Sequence, residues 1–325
     1  MRETFGQYEL LQRFAIGGMA EVFMARRLGA GGFSREVVIK RMLAHLAGDD
    51  TYVRMFFDEA RLTATLQHPN IAQVLDLGWL DGTWFIAMEF VDGPDLSALM
   101  IHLVRNKRPI PIDLAAWIAA RAGEGLHFAH EQRDPMTGDS MAIVHRDVSL
   151  SNILVSRFGD VKVADFGIAR AATRESVITQ VGKVKGKPGY LAPEQIRGEP
   201  FDRRADVFAL GVVLWEMIAG KRLFVGRSDF DTLEMTVDTD AVAPSKLRSE
   251  VDPRLDALVL GALQRDPQRR TASAGELAAA LDRWLVDGGG ADGSRSGLIR
   301  WLDEQAPQLW PPSRRKQEAA PQTPA

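Results

Sequence analysis

Three short segments decide the fold, and the first of them reads HRDVSLSN over residues 145–152. The second, DFG at residues 165–167, begins 18 residues after Asp147, and the third is APE at residues 192–194. Each motif is common by chance, but all three in this order and at these spacings form a specific combination.

A glycine cluster and a strand-end lysine lie upstream of these segments. Residues 15–22 read AIGGMAEV, and glycine lets backbone N–H groups approach phosphate oxygens without a Cβ in the way. Taken alone, the cluster is better explained as an ordinary hairpin turn. The apolar run at residues 37–40 ends in Lys40, which alone would be a solvated charge. Because Glu59 lies on the helical pattern that follows, a Lys–Glu pair that holds the amine over ATP phosphates is the alternative.

Hydrophobic periodicity divides the chain into a strand-rich first part and a helical second part. Residues 8–40 alternate short apolar runs with glycines, which is typical of strands and turns, whereas residues 51–66 have a helical period. Two more strand-like runs and then four helical patterns follow, at residues 72–77, 83–90, 96–104, 114–130, 207–219 and 255–263. This order predicts an α+β fold of two lobes, with ligand binding in the cleft between them.

Composition and charge exclude several functional classes. The 325 residues are 46% hydrophobic and 26% charged, as in a globular protein, and contain no cysteine for disulfides or thiolate chemistry. With 40 Lys and Arg against 43 Asp and Glu, no positive field favours nucleic acid. Residues 1–7 lack the apolar core of a signal peptide, and no apolar stretch is long enough to span a bilayer. We therefore expect a cytoplasmic protein without a membrane span.

The composition changes after Val286. Three glycines at residues 288–290 predict a flexible linker, residues 298–309 predict one short amphipathic helix, and residues 311–325 predict a disordered tail. The expected division of the chain is a first lobe, a second lobe and a terminal region over residues 1–91, 92–286 and 287–325.

In order and spacing, the glycine cluster, Lys40 and the three segments resemble the protein kinase family. Two segments, GGMAEVF at residues 17–23 and DFGIAR at residues 165–170, are most similar in sequence to the eukaryotic-like (Hanks-type) bacterial serine/threonine kinases. The resemblance covers residues 8–286. It implies a two-lobed kinase fold that transfers the γ-phosphoryl group of ATP to protein hydroxyls with Mg²⁺. Tyrosine kinases usually have an arginine between the catalytic Asp and Asn, and residues 148–151 contain none, so the resemblance implies serine and threonine.

The resemblance also implies roles for individual residues. Asp147 would orient the proton of the substrate hydroxyl, Asn152 and Asp165 would bind Mg²⁺, and Lys40, fixed by Glu59, would offset phosphate charge. The other implied nucleotide contacts are Ile16, Gly17, Gly18, Met19, Ala20, Glu21, Val22, Val38, Met88, Glu89, Val91, Asp95 and Leu154.

Four further residues have implied supporting roles. Asp206, in a buried helix, would anchor the catalytic loop, and Arg270 would pair with Glu194. Arg146 would bind a phosphate added to the activation segment by autophosphorylation. The candidate acceptors are Thr173, Ser176 and Thr179, with Thr179 as the first choice.

The sequence departs from the family pattern in three segments. Alanines, Ala15 and Ala20, stand at the first and third positions of the glycine pattern. Ser149 stands where serine/threonine kinases have a lysine that contacts the γ-phosphate, and Lys187 stands where they have a threonine. One interpretation is that a catalytic cation has moved from one loop to the other, which makes Lys187 a candidate catalytic residue.

Two alternatives to an active protein kinase remain open. Drift at Ser149 and Lys187 would give a weak kinase or a nucleotide-binding scaffold without catalysis. A small-molecule kinase of related fold is the other alternative, although the long segment from Asp165 to Glu194 is what a protein-docking kinase needs.

Overall fold

The computed structural model describes residues 3–167, 187–290 and 292–309, and these form two compact units. Within the described ranges, the first unit contains residues 3–91 and 166–167, and the second contains the remainder. The predicted phosphorylation sites Thr173, Ser176 and Thr179 lie outside the described residues.

A six-stranded antiparallel sheet forms the first unit, with the strands in the order β1-β2-β3-β4-β6-β5. Helix α1 (Asp50–Thr65) lies between β4 and β5 in the chain, and the Asp49 side chain caps it by accepting the N–H of Thr51. The strands are β1 (Glu3–Phe5), β2 (Tyr8–Ile16), β3 (Ala20–Leu28), β4 (Ser34–Met42), β5 (Val74–Leu80) and β6 (Thr83–Glu89).

The alternation of side chains along β4 assigns its residues to two cores. Val37 and Ile39 belong to a cluster with the aromatic residues of β1, β2 and β3. Val38 and Met42 belong to a second cluster that includes Phe56 of α1. Because successive side chains of a strand point to opposite faces, Lys40 lies on the same face as Val38 and Met42 and is directed toward α1.

Helices dominate the second unit. Helix α5 is apolar on all sides, as expected of a central buried helix, and ends at Gly220, whose φ of 69° suits glycine. The elements before the third motif are α2 (Leu96–Arg105), α3 (Ile112–His130), β7 (Ile153–Val155) and β8 (Val161–Val163). Those that follow are α4 (Pro193–Ile196), α5 (Arg204–Ala219), α6 (Asp229–Asp238), α7 (Pro253–Ala262), α8 (Ala274–Trp284) and α9 (Arg295–Gln305).

The C-terminal helix α9 differs in its bounds from the predicted helix at residues 298–309. It begins earlier because Ser294 caps it, with its Oγ accepting the N–H of Gly297 at 3.1 Å. Leu298 and Leu302 are fully buried, so the apolar face of α9 packs against the second unit. Among the described helices, none is long and apolar enough to cross a membrane.

Candidate active site

The segment HRD at residues 145–147 is held by one buried carboxylate. Asp206 of α5 accepts the backbone N–H of His145 at 2.7 Å and that of Arg146 at 2.9 Å. The Nε2–H of His130 donates to the same carboxylate at 2.8 Å. Burial alone would raise the pKa of Asp206, but the hydrogen bonds that it accepts from the His130 side chain and the His145 backbone help to outweigh burial, and the pKa is lowered. The predicted anchoring role of Asp206 is confirmed.

His145 links the HRD segment to the DFG segment. Its Nδ1 accepts the backbone N–H of Asp147 at 3.2 Å, and its Nε2–H donates to the carbonyl of Ala164 at 3.1 Å. These two bonds require the neutral imidazole, which has one donor and one acceptor nitrogen. Because complete burial disfavours the charged form, the pKa of His145 is lowered.

Asn152 connects the catalytic loop to Asp147. Its amide nitrogen donates to the Asp147 carbonyl at 2.8 Å and to the Asp147 carboxylate at 3.1 Å. The hairpin of β7 and β8 then returns the chain, since the N–H of Ala164 donates to the Asn152 carbonyl at 2.9 Å. Asn152 and Asp165 therefore lie at the same end of one hairpin. Their amide and carboxylate oxygens fit the hard-ligand preference of Mg²⁺, and they are the residues that would hold it.

Two residues of these motifs have a strained backbone. Arg146 has a φ of 67° and Asp165 a φ of 56°, in the left-handed region that side chains other than glycine rarely adopt. Each such conformation costs on the order of 1–3 kcal/mol and persists only where the surroundings impose it. The bonds of Asp206 and His145 to the loop supply that constraint, so both motifs are held in place by the buried polar core.

Lys187 contacts the catalytic loop across 35 or more residues of sequence. Its Nζ donates to Ser149 Oγ at 2.7 Å and to Ser151 Oγ, and it lies 3.4 Å from Asn152 Oδ1. The carboxylate of Asp147 is 4.0 Å from the same nitrogen. The lysine therefore brings a positive charge to the predicted catalytic aspartate and metal ligand.

Segment 188–191, directly after Lys187, is fixed to α5. The hydroxyl of Tyr190 donates to Glu216 at 2.8 Å, and Arg222 donates to the other oxygen of that carboxylate at 3.0 Å. Burial raises the pKa of Tyr190 and also that of Glu216. The sequence interpretation missed this contact, although a carboxylate such as Glu216 within the apolar run 207–219 indicates a buried partner.

Glu194 of the APE motif pairs with Arg270, as predicted. Two guanidinium nitrogens of Arg270 donate to the two oxygens of Glu194, at 2.6 and 2.9 Å. The exposed fractions of the two side chains are 0% and 3%, so the pair is buried within the second unit.

In the first unit, Lys40 and Glu59 form an ion pair through Nζ and Oε1. The pair follows from the local structure: β4 directs Lys40 toward α1, and Glu59 lies on the buried face of α1 beside Phe56 and Ala60. A buried glutamate carboxylate needs a partner of opposite charge. The ion pair in turn restricts the orientation of the Lys40 side chain. The arrangement fixes one ammonium group on this face of the sheet.

The glycine cluster forms the hairpin between β2 and β3. Ile16 pairs with Glu21, and the N–H of Gly17 donates to the Ala20 carbonyl at 2.8 Å. A Cβ added to Gly18 would meet nothing within 4 Å, so the backbone of this turn is open to a ligand. Val22 continues into β3 opposite Lys40. Contact of this turn with phosphate oxygens remains a prediction.

The remaining predicted nucleotide contacts divide between the units. In the first, Val38 and Met88 pack in the cluster with α1, together with Met19, and Glu89 uses its N–H to bond the Gln73 carbonyl at 2.8 Å. Val91 is buried. In the second unit, Asp95 and Leu154 form a backbone bridge, and the Asp95 side chain caps α2 by accepting the N–H of Ala98.

Comparison with known proteins agrees with this geometry. The protein kinase domain model matches residues 8–281. The chain therefore belongs to the protein kinase family, whose members use ATP with Mg²⁺, and the predicted α+β kinase fold is confirmed. A solved structure, the PknI kinase domain of Mycobacterium tuberculosis, is 29% identical with a TM-score of 0.63, covering 88% of this chain and 98% of that one.

Curated relatives include kinases of two named specificities. Tyrosine-protein kinase MasK of Myxococcus xanthus is 43% identical over 285 residues, which is 88% of this chain and 44% of that protein. Serine/threonine-protein kinase PknB of Mycolicibacterium smegmatis is 39% identical over 282 residues, or 85% and 43%. PknB of Mycobacterium leprae is 37% identical over 281 residues, or 85% and 43%. The chain thus spans less than half the length of these relatives.

Proposed function

We propose that this protein transfers the γ-phosphoryl group of ATP to serine and threonine hydroxyls of other proteins. The observation that carries the proposal is the fixed set Asp147, Asn152 and Asp165, held at one end of the β7–β8 hairpin by Asp206 and His145. An ion-paired lysine in the first unit, Lys40, completes the groups that phosphoryl transfer requires. A scaffold without catalysis has no need of all of them.

Each group has a distinct task in this reaction. Asp147 orients the substrate hydroxyl and accepts its proton, and the amide of Asn152 holds the Asp147 carboxylate in place at 3.1 Å. Asn152 and Asp165 would hold the metal ion, which would supply positive charge to offset the charge that develops on the transferred group. Lys40, oriented by Glu59, and the N–H groups of the turn at Gly18 bind the phosphates of ATP.

Specificity for serine and threonine rests on two observations. No arginine occurs between Asp147 and Asn152, and several PknB relatives are named serine/threonine kinases. The name of MasK makes tyrosine the competing specificity. Phosphoamino acid analysis of the labelled product separates the two: phosphoserine and phosphothreonine support the proposal, and phosphotyrosine alone contradicts it.

The activity is tested by incubating the protein with radiolabelled ATP, Mg²⁺ and a generic basic protein. We expect label on the protein substrate, and a loss of about a hundredfold or more in the Asp147→Asn variant. The matched control is Asp303→Asn, which changes an exposed aspartate of α9. ATP binding without transfer would instead support a catalytically inactive scaffold, and label on small molecules alone would indicate a small-molecule kinase.

We also propose that autophosphorylation of the activation segment regulates this activity. Arg146 precedes Asp147, and its guanidinium lies 5.3 Å from the ring centre of Phe201. A phosphate on the segment would form charge-assisted bonds with this guanidinium. Mass spectrometry after incubation with ATP is expected to find a modified residue among Thr173, Ser176 and Thr179. Finding none between Asp165 and Glu194 contradicts the proposal.

A further inference from the structure

The catalytic loop receives its nearby cation from a distant part of the chain. Residues 148–151, between Asp147 and Asn152, contain no lysine or arginine. The ammonium of Lys187 lies on this stretch, where it donates to Ser149 and Ser151. The hydroxyls of Ser149 and Ser151 thus form the binding position, or seat, of an ammonium group that another loop supplies.

The ammonium of Lys187 is held by hydrogen bonds and stays accessible. Hydroxyl and amide oxygens accept its hydrogen bonds, and the side chain of Lys187 is 37% exposed. The same ammonium is 4.0 Å from the carboxylate that accepts the substrate proton, and 3.4 Å from the amide oxygen of a metal-ligand candidate. A cation held in this way is directed at the place where an anionic group reacts.

The backbone that carries the lysine is also fixed. Lys187 has an extended conformation, and its carbonyl accepts the N–H of Tyr190 at 3.0 Å. Tyr190 is in turn bonded to the buried carboxylate of Glu216. The backbone that carries the ammonium is therefore tied to α5 through Tyr190.

We propose that Lys187 is a catalytic residue that stabilises the γ-phosphoryl group of ATP, with Ser149 and Ser151 as positioning residues for its ammonium. The inference rests on the proposed kinase activity. In the step itself, the bond between phosphorus and the β–γ bridging oxygen breaks, phosphorus bonds to the substrate oxygen, and the hydroxyl proton passes to Asp147. The negative charge of the transferred group is offset by Lys187 throughout.

The first test removes the charge and measures both binding and turnover. Lys187→Gln is expected to weaken the affinity for a non-hydrolysable ATP analogue by about tenfold or more while the affinity for ADP changes little. Turnover should fall by about tenfold to a thousandfold, the loss expected from one electrostatic stabiliser. Lys187→Arg keeps the charge and should retain most of the discrimination between the two nucleotides. The matched control is Lys246→Gln, at an exposed lysine of the same unit.

The outcomes separate this inference from the proposed function. If the parent protein phosphorylates its substrate and Lys187→Gln does so equally fast, with unchanged nucleotide discrimination, the inference is wrong and the kinase activity stands. If the parent transfers no phosphate but Lys187→Gln loses the preference for the triphosphate, the proposed function is wrong and the phosphate contact stands. Equal losses of ATP-analogue and ADP affinity would assign Lys187 a merely structural role and overturn the inference.

A second test examines the seat. Ser149→Ala and Ser151→Ala together should lower turnover in the parent protein and leave ADP affinity unchanged. In the Lys187→Gln background the same two substitutions should have no further effect on turnover, because the serines act through the ammonium. Additive losses in the two backgrounds would show that the serines act independently of Lys187 and would overturn the positioning role.

Discussion

The pairs Lys40–Glu59 and Arg270–Glu194 join the same kinds of charge but differ in how completely their side chains are buried. Arg270 donates all five of its N–H bonds within the second unit, to both oxygens of Glu194 and to three backbone carbonyls. Both partners of that pair are buried. Lys40 and Glu59, by contrast, keep exposed fractions of 13% and 10%.

The difference separates a structural pair from a functional one. A guanidinium whose donors are all used within the protein cannot bind a ligand, so Arg270 stabilises the fold around the APE motif. A lysine that is paired with a carboxylate and partly exposed is a positioned point charge. The two pairs should therefore respond in opposite ways to substitution, one in stability and the other in turnover.

The largest expected effect is on the stability of the second unit. Arg270→Met should lower the free energy of unfolding by about 3–5 kcal/mol, because it leaves the Glu194 carboxylate buried without its partner. Chemical denaturation followed by fluorescence measures the loss. The double variant Arg270→Met/Glu194→Leu should cost less than the sum of the single changes, since no unpaired charge is then buried. Strict additivity would contradict the role assigned to the pair.

For the Lys40–Glu59 pair, the expected loss is in turnover. Lys40→Met should lower it by about a hundredfold or more, because a positioned charge that acts on the phosphates is removed. The midpoint of denaturation should move far less than it does for Arg270→Met. If Lys40→Met instead unfolds the first unit and the remaining folded protein is fully active, the pair is structural and the contrast with Arg270 fails.

How much of the fold and of the site could be predicted depends on how far apart in the sequence the contacting residues lie. The alternation of β4 and the period of α1 are local patterns that allowed a Lys40–Glu59 pair, and the resemblance to kinases made the pair the prediction. The seat of Lys187 on Ser149 and Ser151 joins residues 36 and 38 positions apart, and no periodicity specifies such a contact. The sequence suggested that a cation had moved, and only the structure shows which hydroxyls hold it.

Other omissions have different causes. Helix α8 was not predicted. Ser273 caps its N-terminus, and the Glu276 carboxylate accepts the N–H of Ala272. A serine followed three residues later by a glutamate is a recognisable sequence signal for the start of a helix. No sequence signal predicts the hydrogen bond from His130 to Asp206, because a histidine at the end of a helix can equally well be exposed to solvent. Its role appears only once α3 and α5 are packed together.

A smaller effect is expected from pH, through His145. Its pKa is lowered by burial, so below the ordinary histidine pKa of about 6.5 the unfolded state binds more protons than the folded state. Stability should therefore fall as the pH drops from about 6.5 to 5, by at most about 2 kcal/mol from this group. His145→Gln, which does not titrate, should show a shallower fall in the free energy of unfolding. An equally steep fall in the variant would assign the pH dependence to other groups.

The smallest expected effect comes from an exposed pair of the same type, Arg295–Asp160, which links α9 to the turn after β7. The two atoms are 2.7 Å apart, but the side chains are 61% and 36% exposed. Solvent screens such a pair, so Arg295→Gln should lower the free energy of unfolding by only about 0.2–1 kcal/mol. Leu302→Ala is the control within the same helix, because its side chain is fully buried and its loss should cost about 2–5 kcal/mol. If Arg295→Gln lowers the free energy of unfolding as much as Leu302→Ala does, the ion pair rather than apolar burial holds α9 in place. The exposure of an ion pair would then not indicate how much it contributes to the stability of this protein.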